Sequence, residues 1–203
     1  MSSHHIVRDA QEPALLLMDQ EISHDEIGQL LEWSPLIVID EKVLPRIQSW
    51  GLKIDGIIGN KEILEGLEEL QSQQPCNIIH SVEENKLEAG LNFLISKNSR
   101  AVNIFLKDLF HCTNAIIPYL NQLNFVIFQD HKKIIPVKGT FEKWVTKGQK
   151  FEVINQGSNQ NKTTGLSLVK IIDLGYTTEV YTANEDGSIS IESPELVWVA
   201  EEL

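Results

Sequence analysis

Between Ala14 and Phe128 the chain repeats one pattern, and after Phe128 it abandons it. The repeated unit is a short run of apolar residues followed by a segment with apolar residues at helical spacing. The runs are Ala14 to Met18, Leu36 to Ile39, Ile54 to Ile58, Cys76 to His80, Ala101 to Leu106 and Phe125 to Phe128. Strands apolar on both faces are what a parallel sheet covered by helices requires. The intervening segments carry helix signals. Ser23 with Glu26 three residues later is a capping box, opening a helix with Ile27, Leu30, Leu31 and Trp33 on its apolar side. Pro35 stops that helix. Further helices are predicted from Lys42 to Trp50, starting near Pro45 and closed by Gly51, and over Lys61–Gln71, Glu83–Ile95 and Asn114–Leu123.

After Phe128 the apolar period falls to two. Ile134 to Val137, Lys143 to Val145, Lys150 to Ile154, Leu166 to Ile172, Thr177 to Tyr181, Ser188 to Ile191 and Leu196 to Val199 read as short antiparallel strands. Gly157 to Asn161 and Asn184 to Gly187 supply turn chemistry between them. The fold class is therefore α/β: a mainly parallel sheet layered with helices over residues 1–132, then an all-β, sandwich-like lobe over residues 133–203.

The 203 residues suffice for one large domain or two small ones, and a 42% hydrophobic content supports a packed core. A formal net charge of -12 disfavours a nucleic-acid partner, although a local pocket can still take a nucleotide. Cys76 and Cys112 are too few for a disulfide framework or a zinc set and read as reduced thiols. The N-terminal residues lack the apolar core of a signal peptide, and no run approaches the ~18 apolar residues of a membrane span. The expectation is a soluble, cytoplasmic protein with no membrane partner. Walker A, Gly-x-Gly-x-x-Gly and Gly-x-Ser-x-Gly sequences are absent.

In a parallel α/β sheet, chemistry sits at the carboxyl ends of strands. Asp40 ends the second run, and Asp55 enters the third, which Gly59 leaves. Either carboxylate serves a ligand or simply solubilises a strand end. Glu83, Glu84 and Glu88 suit a site, and equally suit the first turns of a helix through its dipole. His111 near a strand end, and Asn184 in an Asn-Glu-Asp-Gly turn, are open in the same way.

Four stretches in order resemble the thiamine pyrophosphokinase family. Val38-Ile39-Asp40 is similar to its second strand. Gly51 to Gly59 is similar to its Gly-x-x-Pro-Asp-x-Ile-x-Gly segment. Glu83 to Ala89 is similar to its Asp-x-Thr-Asp-Leu-Glu helix start, and Asn184-Glu185 to its Ser-Asn-Glu turn. The resemblance implies an α/β nucleotide-binding domain with a β-sandwich and a homodimer formed through the β lobe. It also implies Mg²⁺-dependent transfer of pyrophosphate from ATP to thiamine. By the same resemblance Glu62, Glu83 and His111 are the catalytic candidates, with Glu62 and Glu83 on the metal. Asp40, Asp55, Asn85 and Asn184 are the cofactor-binding candidates, and Trp144 and Trp198 either stack on thiamine or pack in the core.

The chain departs from the family where charge matters. Asn60, Lys61, Glu62 and Ile63 stand at an Asp-Phe-Asp-Ser tetrad, and Lys86 stands at a carboxylate. Asp108 and Phe110 stand at the Arg and Asp of a Gly-Gly-Arg-x-Asp-His segment that here lacks both glycines. Pyrophosphoryl transfer relies on metal-bound carboxylates and cationic side chains. The alternative to an enzyme is a catalytically inactive relative that keeps the dimeric fold as a small-molecule or protein binding module.

Overall fold

A computed structural model of the chain describes residues 12–155, 161–173 and 175–203. His4, His5 and the turn residues Gly157 to Gln160 lie outside these. The chain divides into two compact units, Met1–Ile127 and Phe128–Leu203. The division falls within a strand, ahead of the 132/133 boundary read from the sequence pattern.

The first unit alternates strand and helix. Its strands are β1 (Ala14–Leu17), β2 (Ile37–Asp40), β3 (Gly56–Gly59), β4 (Asn77–His80), β5 (Ala101–Phe105) and β6 (Asn124–Gln129). Its helices are α1 (His24–Leu31), α2 (Leu44–Ser49), α3 (Lys61–Gly66), α4 (Lys86–Ser96) and α5 (Leu109–Ile116). The strand order is β6-β5-β1-β2-β3-β4. The pairs β5-β1, β1-β2, β2-β3 and β3-β4 are all parallel, with Leu15 opposite both Ile37 and Asn103 and Ile58 opposite Ile79. Leu15, Leu16, Leu17, Ile39, Ile57 and Ile58 are fully buried, which explains why the runs of β1, β2 and β3 carry no polar alternation, whereas β4, at the sheet edge, is largely exposed. Gly90 lets α4 lie close on the sheet: a Cβ there would come within 2.8 Å of Ile58 Cδ1 and 2.9 Å of Leu16 Cδ1.

Local helix signals held where capping was explicit. The Ser23–Glu26 capping box is formed on both sides. Pro45 lies in the first turn of α2, and Gly51 follows that helix with φ +68. Other boundaries differ. The helix expected over Asn114–Leu123 starts instead at Leu109, because the Asp108 side chain caps its first N–H groups. It gives way before Pro118 to a 3-10 turn, Ile117–Tyr119. The Lys61–Gln71 helix breaks after Gly66 into a second 3-10 segment, Glu68–Gln73. The Glu83–Ile95 helix begins as a 3-10 turn, Glu83–Asn85, before α4. Trp33 lies beyond α1 and is exposed. No helix among the described residues is long and apolar enough to cross a membrane.

The second unit is antiparallel. Its strands are β7 (Lys132–Val145), β8 (Lys150–Asn155), β9 (Lys162–Thr164), β10 (Leu166–Asp173), β11 (Thr177–Ala183) and β12 (Gly187–Glu202). They pair in the order β10-β11-β8-β12-β7, with β9 added against β12. Val145, Phe151, Val153, Tyr181, Ile189, Ile191, Val197 and Val199 share its core. β7 and β12 are single long strands where the alternation predicted two short runs each. Gly139, at φ +96, interrupts the pattern of β7, and a register shift between Ser193 and Val197 interrupts β12, yet pairing resumes on both sides. Trp198 is a core residue, whereas Trp144 is exposed.

Candidate functional site

The strand order reverses at β1. The chain proceeds outward through β2, β3 and β4, then crosses back to place β5 on the other side of β1. The crossovers leaving two neighbouring strands then diverge, and a crevice opens at the carboxyl ends of those strands. A cleft of about 590 Å³ lies there, lined by Met18 to Glu21 after β1, Asp40 and Lys42 after β2, and Leu106 to Asp108 after β5. Glu83, Glu84 and Lys86 close it from the start of α4, and His111 and Cys112 from α5. Its size is within the range of small-molecule sites.

The centre of this arrangement is the Lys86 ammonium. It lies 2.6 Å from Glu41 Oε1, 2.7 Å from Glu83 Oε2 and 3.1 Å from Asp40 Oδ2. The Lys86 side chain is 3% exposed and those of Asp40 and Glu41 are 6% and 5%. Three ammonium donors thus meet three carboxylates. Lys42 engages Glu83 from the outer side. Asp40 Oδ1 also accepts the Lys42 N–H at 2.9 Å, which turns the chain out of β2 into the 3-10 turn Glu41–Val43.

Charge tuning follows from this geometry. Burial alone would lower the pKa of Lys86, but hydrogen bonds to Glu41, Glu83 and Asp40 outweigh it and hold the pKa above the ordinary lysine value. Burial pushes the Glu41 carboxyl up, against the hydrogen bond from Lys86. Hydrogen bonds from Lys42 and Lys86 pull the Glu83 carboxyl down. Burial raises the Cys112 thiol, helped by Asp108, so it is no thiolate nucleophile at neutral pH. At the other wall, Asp108 Oδ1 accepts the N–H groups of Phe110 and His111 at 2.9 and 3.3 Å, and its Oδ2 lies 2.6 Å from His111 Nδ1. Burial works against ionisation of Asp108, but these bonds win and lower its pKa.

Of the residues singled out from the sequence, the cleft brings together Asp40, Glu83 and His111. Glu62 is not with them. It is exposed in the first turn of α3, where Asn60 Oδ1 accepts its N–H at 2.9 Å. Asn85 is exposed and lies outside the lining. Asp55 stands at the opposite, amino-terminal end of the strands. Its Oδ2 accepts the Ile37 N–H at 2.8 Å and its carbonyl accepts the Asn77 N–H at 2.9 Å, so it ties together the amino ends of β2, β3 and β4. It is not among the residues that line the cleft. Asn184 belongs to the second unit, where its Oδ1 accepts the Ser167 hydroxyl at 2.6 Å.

Glu41 and Lys42 were missed. Their signal was their place directly after the strand-ending Asp40. Lys86 and Asp108 were visible only as departures from a family pattern. Among the described residues no group of three His, Cys, Asp or Glu is arranged to hold a metal ion.

No protein-family model matches the sequence, and no curated protein matches it. Solved structures do. A thiamine pyrophosphokinase from Bacillus subtilis is similar at a TM-score of 0.64 and 10% identity, over 94% of this chain and 99% of that one. The enzyme from Candida albicans gives 0.64 and 10%, over 96% and 90%. The yeast thiamin pyrophosphokinase gives 0.66 and 9%, over 97% and 87%. The chain has the thiamine pyrophosphokinase fold.

Proposed function

We propose that this chain is a divergent thiamine pyrophosphokinase-type protein whose N-terminal cleft is a site for a small molecule of the adenine-nucleotide or thiamine class. The observation that carries this reading is the position of the cleft: it opens at the carboxyl ends of β1, β2 and β5, where the strand order reverses. The charges of the cleft favour binding over transfer. Transfer of a pyrophosphate needs cations aimed at the moving phosphates. Here Lys86 and Lys42 are paired with carboxylates, Lys107 faces Glu21, and Arg46, also in the lining, donates to the Ile22 carbonyl. Asp108 adds a negative charge to the same wall. We therefore place the chain as a binding member of the fold that has lost efficient catalysis.

A second reading keeps the full reaction, transfer of pyrophosphate from ATP to thiamine with Mg²⁺. The likeness over nearly the whole chain to enzymes with that name favours it. The homodimer belongs to either reading. Leu168, Val169 and Ile171 on β10 offer apolar surface to a second copy, which sedimentation at two concentrations tests.

Calorimetric titration with ATP, with Mg·ATP and with thiamine, followed by an assay for thiamine diphosphate, separates the two. Binding without turnover supports the first reading. Turnover abolished by Glu83→Ala establishes the second, and absence of any binding sinks both.

A further inference from the structure

The residues around Asp40 do not fit the divalent cation that the fold family implies, and the misfit is specific. A Mg²⁺ ion needs open oxygen ligands at about 2.0–2.1 Å in near-octahedral array. Asp40, Glu41 and Glu83 do not form such a set; each turns an oxygen to one point, and that point is filled by Lys86 Nζ. The ammonium is 3% exposed at the side chain and has a carboxylate for each of its donors. The rest of the neighbourhood is built to the same end. Glu41 Oε2, the carboxylate oxygen turned from Lys86, is buried without a partner. It packs on Gly59, where a Cβ would stand 2.5 Å away. Lys42 balances Glu83 from outside. Three carboxylates and two ammonium groups leave the cluster with a net charge of one negative. A divalent ion added beside Lys86 would have to overcome a cation already seated.

From this arrangement we infer that Lys86 is the resident cation of the cleft: its side chain takes the place of a metal ion, and the protein binds its ligands without a divalent metal at Asp40, Glu41 and Glu83. Lys86 is a positioning residue that sets the orientation of the three carboxylates and the charge that a ligand meets. The inference deepens the binding reading above and rests on the same cleft.

Mn²⁺ serves as the probe, followed by electron paramagnetic resonance and by paramagnetic broadening of the backbone amides of Asp40 and Glu41. The wild-type protein should show no saturable Mn²⁺ binding and no site-specific broadening, and its melting temperature in Mg²⁺ should equal that in NaCl of matched ionic strength. Lys86→Ala frees the three carboxylates, and it should gain Mn²⁺ binding at least about ten-fold tighter than wild type. Adding Glu41→Gln should abolish the gain. A variant that folds only with Mn²⁺ present supports the inference as well. Saturable broadening at Asp40 and Glu41 in the wild type overturns it, as does a folded Lys86→Ala variant that acquires no Mn²⁺ site. If Lys86→Ala does not fold in either condition, the wild-type broadening experiment decides alone. The two proposals fail separately. Failure to bind ATP or thiamine removes the small-molecule reading but leaves the cation arrangement intact, whereas Mn²⁺ at the wild-type carboxylates removes the arrangement but leaves the small-molecule site.

Discussion

Gly59 and Glu41 are packed so tightly that the first carbon of any side chain at Gly59 would lie 2.5 Å from Glu41 Oε2 and 2.9 Å from its Cδ. Leu64 Cδ2, at 3.1 Å, closes the same space from α3. Gly59→Ala must therefore move a buried carboxylate that is also hydrogen-bonded to Lys86. It should destabilise the fold by about 1–3 kcal/mol, the usual cost of overpacking. Urea denaturation measures it, and in a double-mutant cycle with Glu41→Ala the cost should shrink because the obstructing atoms are gone. An additive cycle would show that the two positions do not meet.

The two glutamates on Lys86 should titrate with opposite consequences. Glu83 has its carboxyl pulled below the ordinary 4.5, so its contribution is present above that value and lost as pH falls through the lowered one. Glu41 is raised above 4.5, so its contribution is greatest below that value and declines as pH rises through the raised one. Glu83→Gln should therefore flatten the acid limb of the stability profile. Glu41→Gln should make stability climb more steeply just above 4.5. Lys86 faces both groups, Lys42 faces Glu83 and Asp40 faces Glu41, and all three are unchanged in either variant. Chemical denaturation at a series of pH values reads both slopes.

Asp55→Ala should cost stability and leave ligand binding alone. Its carboxylate accepts the N–H of Ile37, a buried residue, and removal leaves that donor unpaired, at a cost of about 1–3 kcal/mol. Titration with ATP or thiamine should give the wild-type affinity. A loss of affinity at full stability would return Asp55 to the site.

Gly90→Ala tests the seating of α4, the helix that delivers Lys86. A Cβ would meet Ile58 and Leu16 below 3.0 Å, and both are fully buried sheet residues. We expect a destabilisation of about 1–3 kcal/mol by thermal or urea unfolding, with α4 displaced from the sheet.

The fold was largely legible because its signals are local. Apolar runs covered on both faces, the Ser23–Glu26 box and the change of period after Phe128 each occupy a few residues and each point to one element. Boundaries failed where a polar residue had two uses. Asp108 read, by the resemblance, as a negative charge at an Arg position and is the cap of α5, which moved that helix forward. Gly139 and the Ser193–Val197 shift broke an alternation without breaking the strands.

The candidate cleft takes in Asp40, Glu83 and His111 but not Asp55, and the reason is direction. Asp55 precedes β3 at its amino end, whereas the cleft opens at the carboxyl ends of the strands. The Lys86 cluster was hidden by distance along the chain. Glu83 is a neighbour three residues away, but Asp40 and Glu41 lie 46 and 45 residues distant and arrive only through two crossovers. The resemblance read Lys86 as a change of sign, and the fold shows it paired with Asp40, Glu41 and Glu83.

A charge borne on the Lys86 side chain has a concentration set by the length of its tether, not by the surrounding solution. Dialysis does not remove it, chelators do not compete for it, and no swap of one ion for another retunes it. Its presence is settled when the chain is synthesised, so this one charge of the cleft is inherited through a single codon.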